Sequence, residues 1–327
     1  MTGGPAALHQ SALQETHQRL GARFVEFAGW SMPVQYEGAL AEHAAVRTAA
    51  GVFDVSHLGR FAVSGPGATD LLRRLLSNDV ARITPGRAQY TMMLTPQGGV
   101  VDDIIVWRWA QEEYWVLPNG VNYDVVHAAV AAAAPPGTSL MRLQESTAMV
   151  AVQGPGAPAL LEQVLDWKPR RFGVDPIVWR GHDLGAAGTG YTGERGGEIV
   201  VPQATAPALF DALVEAGAAP CGLGARDVLR LEMGYPLWGQ DLGPTTTPLE
   251  AGLAWVVAWE HDFVGRAALE AQRYHVLPKR LVAFAFADRT IPRHGYTLRC
   301  GESEGTVASG TFSPSLCACW TWSGTSL

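Results

Sequence analysis

The 327-residue chain is long enough for two or three domains, and its 47% hydrophobic content is enough for real cores. A formal net charge of -7 excludes nucleic acid as the main partner, which calls for a basic face, yet leaves room for a small anionic ligand held by a few arginines. No apolar run approaches the ~20 residues of a membrane helix, and the opening Met-Thr-Gly-Gly-Pro is neither a secretory signal nor an Arg-rich transit peptide, so the expectation is a cytoplasmic protein with no membrane partner.

Residues 1–7 read as disordered, and the apolar spacing of Leu8, Ala12, Leu13 and Leu20 predicts a helix over 8–20 that stops at Gly21. Residues 24–36 are extended and aromatic. A helix over 39–50 ends at Gly51, and a strand follows from Val52. The strand Phe61-Ala62-Val63 then runs through Gly65-Pro66-Gly67 into a helix over 68–76. The same unit recurs where the strand around 149–153 runs through Gly154-Pro155-Gly156 into a helix over 158–165, which predicts two related α+β modules. A phosphate cradle at Gly-Pro-Gly is disfavoured, because proline removes a donor and no Gly-Lys-Ser/Thr follows.

Between the copies lies the most informative stretch. Two β-favouring runs, 89–94 and 100–107, flank Thr95-Pro96-Gln97-Gly98-Gly99, a hairpin signal. The second run is apolar on both faces yet opens with Asp102-Asp103. Alternation puts Asp103, Ile105 and Trp107 on one face and Asp102, Ile104 and Val106 on the other. A carboxylate among such neighbours must be paired, hydrogen-bonded or functional; the plainer reading is that the pair only stitches turn to strand.

A strand over 114–117 precedes Asn119, and a helix from about Val121 ends at the Ala-Pro-Pro-Gly boundary near 137. Further strands are expected at 177–179 and 198–201, and helices at 205–215 and 224–233, the last closed by Pro236. Arg226 stands at the start of that helix, where Asp227 suits the dipole and an arginine does not, so carboxylate recognition is one reason for it and a surface ion pair another. From about 248 the chain reads as β-rich, with strands beginning at Ala254, at 281–287, 296–299 and 305–312, and a helix at 266–272. Cys221, Cys300, Cys317 and Cys319 form no metal pattern, and no H-E-x-x-H occurs, so no metal is expected. His57 has no base–nucleophile spacing around it and reads as packed or surface.

Taken as an ordered set, these residues resemble the folate-binding T-protein family, that of the glycine cleavage aminomethyltransferases. The resemblance runs through Phe27-Ala28-Gly29-Trp30, Gly51-Val52-Phe53-Asp54-Val55-Ser56-His57, the hairpin, Gly190-Tyr191-Thr192-Gly193-Glu194 with Glu198, Ala225-Arg226-Asp227, Thr247-Pro248-Leu249-Glu250-Ala251-Gly252 and Ser309-Gly310-Thr311-Phe312-Ser313-Pro314. It covers roughly residues 8–315.

The resemblance implies a multi-domain α+β fold with two related α+β modules and a C-terminal β-rich, barrel-like domain. The implied domains are 1–55 with 144–247 for folate binding, 56–143, and 248–327. It makes Asp103 the essential acid, with Asp102 its structural partner. It implies that Glu198 bonds the pterin edge, that Arg226 sits in the folate site, and that Tyr191, Tyr90, Tyr235 and Trp107 pack on the ligand. Asn119 would position the departing amino group. Trp107 stands where the family has a tyrosine, so only stacking is left to it, and Arg195 replaces a usual acid.

The implied reaction takes the one-carbon unit from the aminomethyl-lipoyl group of the H protein to tetrahydrofolate, releasing ammonia and forming 5,10-methylenetetrahydrofolate. After Pro314 the family pattern stops, and residues 315–327 read as a divergent or frame-shifted terminus with no strand to pair with, leaving the third domain truncated. Three readings stay open beside this one. One is a folate-binding relative without transferase activity, although the loop lacks the cysteine such helpers carry. The second is a folate-dependent demethylation module. The third is a degenerate chain kept as an interaction surface.

Overall fold

The computed structural model describes residues 7–286, 290–301, 303–314 and 319–324. The chain divides into two compact units, residues 1–59 with 143–226 and residues 60–142 with 227–327. The domain expected from residue 248 is part of the second unit.

The first unit is built on a six-stranded mixed sheet ordered Val174–Trp179, His182–Ala187, Gly196–Pro202, Thr147–Gln153, Gly51–Asp54, Ala219–Cys221. Its central strands send Ala148, Val150, Val152, Ile199 and Val201 into the core, the apolar residues that a helix-covered face requires. The helices Ala157–Leu165 and Ala206–Glu215 pack Leu160, Leu161, Leu209 and Phe210 against Val150, Val152 and Ile199. The segment expected to be one helix over 8–20 is instead a short strand, His9–Gln10, followed by a helix Gln14–Arg19. His9 pairs with Trp30 across the strands, and this long-range ladder overrides the local helical spacing.

The second unit holds a five-stranded sheet ordered Arg87–Leu94, Val100–Ala110, Glu113–Leu117, Phe61–Ser64, Ser139–Arg142. The helices Ala68–Leu75 and Tyr123–Ala133 cover one of its faces, burying Leu71, Leu72, Val126 and Val130 with Phe61, Val63, Ile104 and Val106. The predicted hairpin is present: Thr91 pairs with Ile104, Met92 with Asp103 and Met93 with Asp102. Thr95 and Gly99 close its turn by N–H···O=C bonding at 2.8 Å, with Gly98 at φ 86°. Gly99 is irreplaceable for a different reason: a Cβ there would stand 1.8 Å from the Pro244 carbonyl oxygen.

The repeated Gly-Pro-Gly unit does the same job twice. Gly65 N–H donates to Glu112 and Gly154 N–H to Arg195, and each glycine's carbonyl accepts the N–H three residues on, from Ala68 and Ala157. Both glycines sit at positive φ, 103° and 141°, with backbone oxygen 2.4 Å from where a Cβ would be. Donors spent within the chain are not free to cradle a phosphate.

Three expectations for the C-terminal region are corrected. Residues 254–256 form a 3-10 turn, Ala254–Val256, rather than the start of a strand. The β-rich part is an open four-stranded sheet ordered Arg280–Phe284, Cys319–Gly324, Ser303–Thr311, Thr297–Cys300, not a closed barrel among the described residues. The segment expected to lack a pairing partner is thus a central strand, with Trp322 opposite Val282 on one side and Val307 on the other. Residues 315–318 and 325–327 and the tail's side chains lie outside what is described, and with them the expected exposure of its tryptophans and cysteines.

Candidate functional site

In the second unit, Asp102 and Asp103 stand at the root of the long strand Val100–Ala110 and point to opposite faces. Asp102 is on the helix-covered face with Ile104 and Val106 and is 0% exposed. A carboxylate there must be fully hydrogen-bonded. Its Oδ2 accepts the backbone N–H of Asn119 at 3.0 Å, and its Oδ1 accepts the side-chain amides of Asn119 at 2.9 Å and Asn122 at 2.7 Å.

Asp103 is on the other face and only partly buried. Its Oδ1 accepts Asn119 Nδ2 at 2.9 Å and its Oδ2 accepts the Tyr90 hydroxyl at 3.1 Å. Burial pushes the Asp103 carboxyl up to about 6, the two hydrogen bonds pull against it, and the Asp241 charge adds to the rise. Asp102 is also raised, by burial and then by the charge of Asp103, with the asparagine donors opposing. Two acids set apart by environment in this way can hold one carboxylate ionised beside a more reluctant one.

The other sequence candidates of this unit fall as follows. Tyr90 is half-buried and lies against Trp255, ring centroids 5.6 Å apart, and Trp255 is 64% exposed. Trp107 shares the face of Asp103, as alternation requires, but it is 0% exposed, lies parallel to Trp115 with centroids 5.8 Å apart, and finds no acceptor for its Nε1–H among the described residues. Tyr235 is half-buried where the chain leaves the helix Leu223–Glu232; its N–H donates to Arg230 O at 3.0 Å and its carbonyl accepts Arg230 Nη1 at 3.2 Å.

In the first unit, Glu198 is buried on the strand Gly196–Pro202, and the Thr189 hydroxyl donates to its Oε2 at 2.6 Å. Burial raises its carboxyl, and the Thr189 bond and the charge of Arg226 work against the rise. The Arg226 guanidinium lies over the Tyr191 ring, 4.7 Å from its centroid, and its buried Nη1 has no hydrogen-bond acceptor among the described residues. Glu198, Arg226 and Tyr191 therefore form one cluster with an unspent donor facing an acidic, aromatic setting. Its chemistry, a carboxyl, a guanidinium donor and a ring, is complementary to a planar group bearing both acceptors and donors.

Residues that sequence reasoning passed over hold this cluster in place. Gln153, 1% exposed, donates to the Thr189 carbonyl at 3.2 Å and accepts the Thr192 hydroxyl at 2.8 Å, and so clamps the loop that carries Tyr191. Arg47 donates to Thr192 O at 2.7 Å and pairs with Glu194 at 2.8 Å. Through its carbonyl, Arg195 serves the backbone bond to Gly154, which any residue could make, so a basic side chain in place of an acid leaves the loop's shape intact. His57 is buried edge-on to Phe27, with centroids 5.2 Å apart.

Among the described residues no three His, Cys, Asp or Glu side chains gather as a metal site, and no helix is long and apolar enough to cross a membrane.

Comparison with known proteins shows which family the fold belongs to. The family model for the GCVT N-terminal domain matches residues 13–261. An aminomethyltransferase of Frankia alni is 46% identical over 321 residues, 95% of this chain and 88% of that protein. One of Mycobacterium tuberculosis is 44% identical over 324 residues, covering 97% and 88%. The crystal structure of glycine cleavage system aminomethyltransferase T from Bartonella henselae superposes with a TM-score of 0.90 at 32% identity, covering 97% of this chain and 90% of that one. With a family model over most of its length and relatives of this identity along nearly all of it, the chain belongs to the glycine cleavage T-protein family.

Proposed function

We propose that this aminomethyltransferase of glycine cleavage moves the one-carbon unit from an aminomethyl group on the lipoyl sulfur of the H protein to tetrahydrofolate. The two folate N–H protons account for the products: N5 and N10 bond the methylene carbon, ammonia leaves carrying one proton, and the lipoyl sulfur leaves with the other as a thiol. No metal or redox partner is needed for that balance. The relatives' own names carry the transferase activity and the glycine cleavage system.

The observation that carries the residue assignment is Asp103, an acid held on its strand by Tyr90 and Asn119 with part of its surface still open. As a carboxylate it stabilises the cationic, iminium-like carbon that forms as ammonia departs, and it fixes the folate nitrogen that attacks. Asn119, whose amide is spent on the two acids, acts by orienting Asp103 and stands beside the place where the amino group leaves. Glu198 suits the paired N–H donors of a pterin edge, and the open Nη1 of Arg226 suits an acceptor or carboxylate of the same cofactor. Tyr191, which already carries the Arg226 guanidinium over one face, packs on the folate in this reading, as do Tyr90 and Tyr235. Trp107 backs this face of the sheet from within.

Ammonia release is measured with tetrahydrofolate and the lipoylated, aminomethylated H protein. The expected result is tetrahydrofolate-dependent ammonia formation that Asp103→Asn lowers by roughly 10²–10³-fold while folate binding persists. Tetrahydrofolate binding with no ammonia release from the wild-type chain would mean that a binding protein, not a transferase, has this fold.

A further inference from the structure

Two asparagines sit where a helix begins, and neither caps it. Asn119 precedes the 3-10 turn Gly120–Asn122, and Asn122 precedes the helix Tyr123–Ala133, yet neither side chain bonds the free N–H groups of the turn that follows. Asparagine is favoured at such positions because its oxygen accepts one of those N–H groups, a contact worth ~1 kcal/mol. Here both residues forgo it and use the nitrogen end of the amide on carboxylates instead.

The bonds run in series. Asn122 Nδ2 donates to Asp102 Oδ1 at 2.7 Å, the shortest contact in the cluster. The same Oδ1 accepts Asn119 Nδ2 at 2.9 Å, while Asp102 Oδ2 accepts the Asn119 backbone N–H at 3.0 Å. Asn119 is thereby held at two points. Its Nδ2 then reaches Asp103 Oδ1 at 2.9 Å and the Asp103 carbonyl at 3.2 Å. Asn122 is 5% exposed and Asp102 is 0% exposed, so water offers no alternative partner to either. All four residues lie in one unit, on one strand and the turn that follows its neighbour.

We propose that Asn122 is a positioning residue for the transfer reaction: through Asp102 and then the Asn119 amide, it fixes the orientation in which Asp103 meets the folate nitrogen. This rests on the assignment of Asp103 above. The physical reason is geometric. An acid that must face a reacting atom within a few tenths of an ångström needs its own support locked by neighbouring hydrogen bonds, and misplacement by about 1 Å can cost ~10²-fold in rate. Asn122 is buried and spends its amide on Asp102 rather than on Asp103, so it acts through the chain of bonds.

The test uses the full chain with tetrahydrofolate and the aminomethylated, lipoylated H protein, comparing wild type, Asn122→Leu, Asn122→Asp and, as a check on the underlying assignment, Asp103→Asn. Leucine keeps the shape and removes the donor. The expected result is a kcat lowered ~10–100-fold per folded molecule, with KM for tetrahydrofolate within about twofold of wild type, and an acid limb of the pH–rate profile displaced from the wild-type position. Asn122→Asp is the sharper probe. Protonated, the new acid can donate an O–H to Asp102 from the same place; ionised, it has no proton to donate and breaks the series. Its rate relative to wild type should therefore rise at least ~10-fold as pH falls from about 8 to about 6.

A residue that merely fills space would not produce that reversal. Should Asn122→Leu prove unfolded by circular dichroism, the Asn122→Asp profile decides alone. A constant ratio to wild type across that range, or wild-type kcat and acid limb in a folded Asn122→Leu, overturns the inference. Full turnover by Asp103→Asn overturns the underlying assignment instead, and takes the inference with it.

Discussion

The Tyr90 hydroxyl donates to Asp103 Oδ2 at 3.1 Å across the hairpin, from a ring that is itself flanked by Trp255. Tyr90 pairs directly with Ile105, so the contact is the diagonal one, which long aromatic side chains can span. The bond holds Asp103 on the side opposite to Asn119 and favours its ionised form.

Tyr90→Phe removes that donor and nothing else of the ring. Its acid limb should move above the wild-type midpoint, because the bond it loses is one that lowers the Asp103 pKa. Turnover should fall ~10-fold, the size of one hydrogen bond to a charged group. A pH–kcat profile reads both at once.

Asp103 must be ionised to act as proposed, so wild-type turnover should climb as pH rises through about 6. The stability effect has the opposite sign. The folded carboxyl is raised from 3.8 to about 6, so its contribution is fully present below about 4 and is lost as pH rises through about 6. Asp103→Asn should therefore gain stability relative to wild type between those limits. Urea melts of the two proteins at pH 4, 5, 6 and 7 would show the difference, and a flat difference would contradict the burial that causes the shift.

Arg226→Lys keeps the charge but loses the planar fork and the stacking on Tyr191. KM for tetrahydrofolate should rise ~10-fold or more, with kcat at saturation much less affected. Thr189→Val leaves Glu198 buried without its hydroxyl donor, drives its carboxyl further up and should weaken folate binding in the same direction. Equilibrium titration with tetrahydrofolate checks both variants without the carrier protein.

Arg230 anchors the C-terminal sheet to the rest of its unit. It is 1% exposed, bonds Asp241 at 2.7 Å and Asp227 at 2.8 Å, and donates to the Ser309 hydroxyl at 2.9 Å. Ser309 follows the register shift of the strand Ser303–Thr311, which lies between Val307 and Ser309. Arg230→Met should cost ~3–5 kcal/mol by taking away the cation that balances the buried Asp241 charge, and removing both charges should cost less than removing one. Thermal melts of the single and double variants measure it.

Asp103 was legible as a candidate because a hairpin signal and strict alternation put it on a definite face, and that alternation holds in the structure. The Gly-Pro-Gly repeat was legible for the same kind of reason, since strand, turn and helix follow one another within a dozen residues. Asn122, Thr189 and Gln153 were not. Each is an ordinary polar residue in its own segment, and its meaning comes from a carboxylate or loop 20, 9 or 36 positions away. The His9–Gln10 strand was missed because its partner, Trp30, lies beyond any helical window.

Local order by itself determined the hairpin, the two α+β modules, the faces of the long strand and the family pattern, because side-chain period and turn chemistry act over a few residues. Only the tertiary structure decided which of two adjacent acids is sealed under helices and which stays partly open. It also decided that the tail segment Cys319–Gly324 is a central strand between Arg280–Phe284 and Ser303–Thr311 rather than an orphan. Both outcomes depend on which surfaces meet across long stretches of chain, and a period of two along a strand specifies its faces without specifying what will cover them.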